Sequence, residues 1–171
     1  MKKIYLAGPE VFLENGKEYG EMLKQKCRAA GFEGLFPLDN EVQGGSREEL
    51  AGKIREGNIQ LIESCDIVIA NLSPFRGPEP DSGTVWEVGF AQGLGKTVIG
   101  YCCDRRDLKR KTQEILGLNR SAHRDEQNLE IEDFGLTHNL MYAEIVQNST
   151  FDECLRSLCP SQSTLSSFTR S

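Results

Sequence analysis

Short apolar, β-branched runs alternate along this chain with longer stretches whose apolar positions recur every three or four residues. Ile4-Tyr5-Leu6-Ala7 is the first short run, and Gly8-Pro9 breaks it. Residues 16–30 follow with helical spacing, placing Tyr19, Met22, Leu23 and Cys27 on adjoining faces before Gly31 stops the helix. Gly34-Leu35-Phe36 predicts a second strand, ended by Pro37, and residues 47–64 a long helix carrying Leu50, Ile54, Ile59, Leu61 and Ile62. Asp66-Ile67-Val68-Ile69-Ala70-Asn71-Leu72 has the composition of a central parallel strand. A proline-rich loop, Ser73 to Pro80, leads to a helix that Asp81 can cap and Gly95 ends, and Thr97-Val98-Ile99-Gly100-Tyr101 is the next strand.

This strand–helix–strand rhythm predicts right-handed crossovers and an α/β fold: one domain, a doubly wound, flavodoxin-like parallel sheet flanked by helices. In such sheets ligands sit outside the carboxyl ends of the strands, here around Gly8-Pro9, residues 37–41 and residues 72–81. Residues 104–133 are highly charged and weakly periodic and read as a mobile excursion with a short helix. Order resumes at Phe134-Gly135-Leu136 and Asn139-Leu140-Met141-Tyr142, and a last amphipathic helix spans 151–158. The domain is expected to cover residues 1–160, with the Ser/Thr-rich residues 161–171 a disordered tail.

Composition narrows the function classes. The 171 residues are 38% hydrophobic and 27% charged, enough apolar content for a real core. A net charge of -6 argues against a nucleic-acid polymer as partner, and no apolar run is long enough to span a bilayer. The six cysteines form no C-x-x-C pair and no histidine stands at zinc spacing, which predicts reduced thiols, no metal site and a cytoplasmic protein.

The residue that stands out is Glu87, within Val85-Trp86-Glu87-Val88-Gly89-Phe90-Ala91. A helix apolar on nearly every side is normally buried, and a buried carboxylate needs a partner or a polar cavity. Glu87 is therefore either a structural, hydrogen-bonded glutamate or a cavity carboxylate suited to act as nucleophile or base.

Taken with Glu87, the motifs Tyr5-Leu6-Ala7-Gly8-Pro9, Pro37-Leu38-Asp39-Asn40-Glu41, Cys65-Asp66-Ile67-Val68, Asp81-x5-Glu87-x-Gly89-x-Ala91 and Asn139-Leu140-Met141 resemble, in order, the nucleoside 2-deoxyribosyltransferase family. The resemblance implies cofactor-free exchange of free nucleobases on deoxynucleosides through a covalent deoxyribosyl-Glu87 intermediate, with retention, as part of nucleoside salvage. It implies that Tyr5 donates a hydrogen bond that orients Glu87, and that Asp66 handles the base's proton. Asp81 would hold a sugar hydroxyl. Gly8 and Phe12 would border the substrate, Phe12 by stacking, and Glu41 would reach the base. Asn139 and Met141 would be lent to a neighbouring subunit's sugar site, so the working form would be a homo-oligomer. Read from the residues alone, each has a plainer role: Tyr5 packing at a strand end, Asp66 bonded to amides at a strand boundary, Asp81 and Asn139 as helix caps. Arg76 reads as a solvated charge rather than a lid contact.

Two other functions compete. A deoxynucleoside 5′-monophosphate N-glycosidase would need a phosphate pocket, which the carboxylate of Asp81 would oppose. A non-catalytic nucleotide sensor on this scaffold would need neither the Tyr5–Glu87 pairing nor a shared asparagine.

Overall fold

The computed structural model describes residues 1–40 and 43–159. In chain order the elements are β1 (Lys3–Ala7), α1 (Gly16–Ala29), β2 (Glu33–Leu35), α2 (Arg47–Ser64), β3 (Ile67–Asn71), α3 (Ser82–Gly93), β4 (Thr97–Tyr101), α4 (Leu108–Ile115), β5 (Val146–Asn148) and α5 (Phe151–Leu158). All strand pairs are parallel and the order across the sheet is β2-β1-β3-β4-β5, the flavodoxin-like arrangement. The chain reverses its direction of winding between β1 and β3, which opens a crevice beyond their carboxyl ends.

The period-two alternation of the strands decides which side chains meet which helices. Ile4 and Leu6 of β1, with Ile67 and Ile69 of β3, pack with Leu23 and Cys27 of α1 and with Phe151, Cys154 and Leu155 of α5. Tyr5, Ala7, Val68 and Ala70 face the other way, toward Ile62 of α2 and Val88 and Ala91 of α3. Both faces of the sheet are thus covered, which explains why β3 is apolar at each of Ile67 to Ala70 rather than at every second position. Tyr5 shares a layer with α3 for this reason alone: it is odd-numbered on a strand whose even positions face α1 and α5.

Local signals terminate the helices. Ser46 and Glu49 form a capping box at the start of α2 (Glu49 N to Ser46 Oγ 3.2 Å, Ser46 N to Glu49 Oε2 2.7 Å). Gly31 and Gly95, at φ of 86° and 71°, end α1 and α3 in the left-handed conformation that glycine adopts at low cost. The early part of α2 stands off the body, and of its residues only Ile62 is fully buried. Leu50 and Ile54 face the crevice instead of the core.

The structure departs from the sequence-based expectations in three places. β2 begins at Glu33, one residue before the predicted start, and β5 was not predicted at all; its three residues gain strand geometry by pairing with Gly100 and Tyr101. Residues 104–133 were expected to be a mobile excursion with a short helix, and α4 is a short helix within them. They fold back on α4, where Gln113 Nε2 donates to the carbonyls of Arg120 (3.0 Å) and Ala122 (2.8 Å), and Arg124 bridges to Glu130. The predicted tail, 161–171, and Glu41 lie outside the described residues. Among the described residues no helix is long and apolar enough to cross a membrane.

One contact sets the distance between α1 and the segment after β2. A Cβ on Gly20 would lie 2.3 Å from Cδ1 of Phe36, whose ring is buried and precedes the cavity-lining Pro37. Gly20→Ala gains helix propensity but forces the ring to move, so a net loss of about 1–3 kcal/mol is expected. Urea denaturation measures it, and an unchanged midpoint would show that Phe36 has room to shift.

Candidate active site

The crevice is a cavity of about 590 Å³ at the carboxyl ends of β1 and β3. Gly8 and Phe12 come from the segment after β1, Pro37, Leu38 and Asn40 from the turn after β2, and Leu50, Ile54 and Asn58 from α2. Asp81, Gly83, Thr84 and Glu87 come from the start of α3. Leu38, Leu50 and Ile54 make one end apolar, whereas the α3 end carries both carboxylates.

Glu87 is held by two donors on the same oxygen. The Tyr5 hydroxyl donates to Oε1 at 2.7 Å, and Asn58 Nδ2 donates to Oε1 at 3.4 Å, a longer and weaker contact. Oε2 has no hydrogen-bond partner among the described residues. Burial pushes the Glu87 carboxyl up to about 7, the nearby charge of Asp81 adds to the rise, and the bonds from Tyr5 and Asn58 oppose it. Burial and the neighbouring Glu87 push the Tyr5 phenol far above its ordinary value, so Tyr5 remains a neutral donor.

Asp81 divides its oxygens. Oδ2 accepts from Thr84 N (2.9 Å) and Thr84 Oγ1 (3.0 Å), capping α3, and leaves Oδ1 for the cavity that the residue lines. Gly8 permits a close approach: a Cβ there would lie 2.0 Å from Glu10 Oε2. Glu10 in turn accepts from Asn71 Nδ2 at 2.6 Å and anchors the end of β3. Phe12 stacks on Phe75 (centroids 5.4 Å apart), and the guanidinium carbon of Arg76 lies 4.7 Å from the Phe75 ring centre and 5.5 Å from that of Phe12. Arg76 is exposed, as a solvated charge would be, and it also lies over an aromatic pair at the cavity mouth, at a left-handed φ of 54°.

Asp66 corrects the sequence reading. It is exposed at the amino end of β3, and its Oδ2 accepts from Lys3 N at 2.8 Å. The cavity begins beyond the other end of that strand, about 20 Å away at roughly 3.3 Å per residue. The plainer role, a carboxylate bonded to an amide at a strand boundary, is the one the fold provides. Asn139 and Met141 also stand outside the cavity of their own chain. Asn139 Nδ2 donates to Glu132 Oε2 (2.7 Å), its Oδ1 accepts from Met141 N (3.0 Å), and Met141 is 75% exposed.

The residue missed from the sequence is Asn58. A signal existed, since Leu50, Ile54, Asn58 and Ile62 recur every four residues on one face of α2, and the amide interrupts that apolar stripe. Asn58 Oδ1 and Asn40 Nδ2 are both buried without a hydrogen-bond partner. Among the described residues no group of three or more His, Cys, Asp or Glu side chains is placed to hold a metal ion.

A flavodoxin-like sheet with a tyrosine-held carboxylate at its switch point defines a class of small-molecule sites rather than one reaction. Comparison with known proteins narrows the class. Residues 4–141 match the nucleoside 2-deoxyribosyltransferase family, and the chain belongs to it. A 2-desoxiribosyltransferase from Leishmania mexicana is 34% identical, with a TM-score of 0.73 over 92% of this chain and 96% of that one. The 2-deoxyribosyltransferase of Bacillus psychrosaccharolyticus is 25% identical, with a TM-score of 0.50 over 86% and 98% of the two chains. An uncharacterized protein of Schizosaccharomyces pombe is 37% identical over 116 residues, which cover 64% of this chain and about half, 54%, of the yeast protein.

The raised Glu87 carboxyl has a consequence for stability. Because the folded state holds its proton up to about 7 and the ordinary value is 4.5, the folded protein is disfavoured increasingly from pH 4.5 to 7 and by a constant amount above. The gap corresponds to about 3 kcal/mol. Glu87→Gln is expected to be more stable than wild type at pH 8 by a large part of that amount, with the difference gone below pH 4.5. Thermal melts across pH measure it, and equal stability at pH 8 would show that the ionised carboxylate is not costly here.

Proposed function

We propose that this protein transfers the 2-deoxyribosyl group of a deoxynucleoside between nucleobases, with Glu87 as the nucleophile. The observation that carries the reading is the asymmetric support of one carboxylate: both donors bind Oε1, and Oε2 is left to react. The sugar lies at the α3 end, where Asp81 Oδ1 accepts from a sugar hydroxyl, and the base lies toward Leu38, Leu50 and Ile54. Oε2 attacks C1′ as the bond to the base breaks, through an oxocarbenium-like transition state that a carboxylate stabilises by charge before it bonds. The absence of a 2′-hydroxyl on the sugar removes an electron-withdrawing group and eases that ionisation. A second base then attacks C1′ from the face the first one left, giving retention. Water entering instead yields slow hydrolysis.

Tyr5 acts by fixing which oxygen faces the sugar, and its neutral phenol stabilises the ionised form of Glu87. The cavity holds deoxynucleosides without a 5′-phosphate, because the free oxygen of Asp81 would repel one. The exposure of Met141, and the distance of Asn139 and Met141 from their own cavity, support a homo-oligomer in which each subunit completes its neighbour's sugar site.

Purified protein given deoxyinosine and free adenine is expected to form deoxyadenosine, followed by chromatography. Glu87→Ala should abolish the exchange, and turnover in that variant would sink the proposal. Tyr5→Phe should slow it by roughly 10- to 1000-fold; wild-type rates would reduce Tyr5 to packing. Since Glu87 must be ionised to attack, kcat/KM should fall about tenfold per pH unit below about 7 and level off above it. A profile flat down to pH 5 would show that the nucleophile has an ordinary carboxyl.

A further inference from the structure

With Asp66 at the far end of the sheet, the departing base has lost the carboxylic acid expected to serve it. Besides Asp81 and Glu87, no carboxyl group among the described residues lines the cavity. Asn58 stands where the base-side residue is needed: it lines the cavity and touches the nucleophile, and it follows Gly57, against which the Asn40 amide packs. The two ends of its amide are not interchangeable here. A carboxylate can only accept, so Glu87 Oε1 takes the Nδ2 end at 3.4 Å. Oδ1 is thereby turned away from the nucleophile and left as a buried acceptor with no partner. An unsatisfied buried carbonyl is costly in a folded protein, and its retention on a cavity wall points to a donor that arrives with the substrate.

We infer that Asn58 Oδ1 accepts a hydrogen bond from the ring N–H that a purine acquires as it leaves. The inference rests on the transfer reading above. In the step, the C1′–N9 bond breaks with its electron pair going to the base, the Oε2–C1′ bond forms, and a ring nitrogen of the base (N7 or N3) takes a proton from solvent water. Asn58 cannot supply that proton, because an amide is not an acid in this range. It stabilises the base once the N–H is forming and favours the neutral leaving group over the anion. In the reverse direction it binds the incoming free base through the same N–H and so orients N9 toward C1′. One amide thus links the two halves of the reaction: Nδ2 holds the nucleophile, and Oδ1 holds the protonated base.

The test separates these two ends. A 7-methylated purine deoxynucleoside carries a cationic base that departs neutral without gaining a proton, so it has no need of the Oδ1 contact, whereas deoxyinosine does. Base release from deoxyinosine and from 7-methyl-2′-deoxyinosine is measured in single turnovers with wild type, Asn58→Leu and Asn58→Asp. The ratio of the two rates cancels any disturbance of Glu87. Asn58→Leu, which lacks the acceptor, should lower release from deoxyinosine by roughly 10- to 100-fold more than release from the methylated donor. Asn58→Asp keeps an acceptor and can also carry a proton, so its release from deoxyinosine relative to the methylated donor should not fall below that of wild type, even if its charge beside Glu87 slows both reactions. An equal loss on both donors in Asn58→Leu would overturn the inference and leave Asn58 as a prop for the nucleophile, and no loss on either would remove it from the site. If wild type releases the methylated base but not hypoxanthine, the nucleophile stands and the assigned role of Asn58 falls. Release of neither base defeats the transfer reading itself.

Discussion

The hydrogen bond from the Tyr5 hydroxyl to Glu87 Oε1, 2.7 Å long, joins β1 to the helix that follows the proline-rich loop. Its two residues are 82 positions apart, and most features of the site exist to make it possible. β1 must lie between β2 and β3 so that its carboxyl end opens on the crevice. Tyr5 must fall on the α2–α3 side of the sheet, which the strand alternation ensures. α3 must begin where Asp81 can cap it, so that Glu87, within its second turn, faces inward. The bond also makes the carboxylate asymmetric, because both donors reach Oε1 and neither reaches Oε2.

That arrangement carries a built-in tension. Burial and the charge of Asp81 raise the Glu87 carboxyl to about 7, while the two donors pull it down. A less supported carboxylate would hold its proton at neutral pH and fail as a nucleophile, and a fully solvated one would be a weak nucleophile screened by water. The pair of donors opposes that rise, which holds the group near the point where both protonation states are accessible at neutral pH. Asp81 contributes to both sides, capping α3 through Oδ2 while its charge makes ionisation of Glu87 harder. Around this centre the walls are unequal: the sheet side is rigid and packed on both faces, and the α2 side stands off, offering Leu50, Ile54 and Asn58.

Much of the fold was legible from local signals. A carboxylate in an apolar helix demanded a partner, the family resemblance named Tyr5, and the structure places Tyr5 beside Glu87; Gly8, Phe12 and Asp81 line the cavity. The role that the resemblance gave Asp66 does not match its place, because the residue sits at the solvent end of a buried strand, where one step along the chain changes burial completely. Asn58 was overlooked for the opposite reason. A single amide in a charged, 18-residue helix carries little signal until α3 and β1 bring a carboxylate to it.

The sequence by itself determined the order and kind of the main elements, the parallel sheet and which half-buried carboxylate stands out in an apolar helix. Apolar period, caps and breakers act over a few residues and do not depend on distant parts of the chain. Tertiary structure alone decided which end of a strand a side chain occupies, that β5 forms on the edge of β4, that the charged 104–133 stretch packs on α4, and which donors reach Glu87. Each of these depends on contacts between residues far apart in sequence, and a hydrogen bond that needs an approach within about 3 Å cannot be read from a pattern whose information is which face a residue is on.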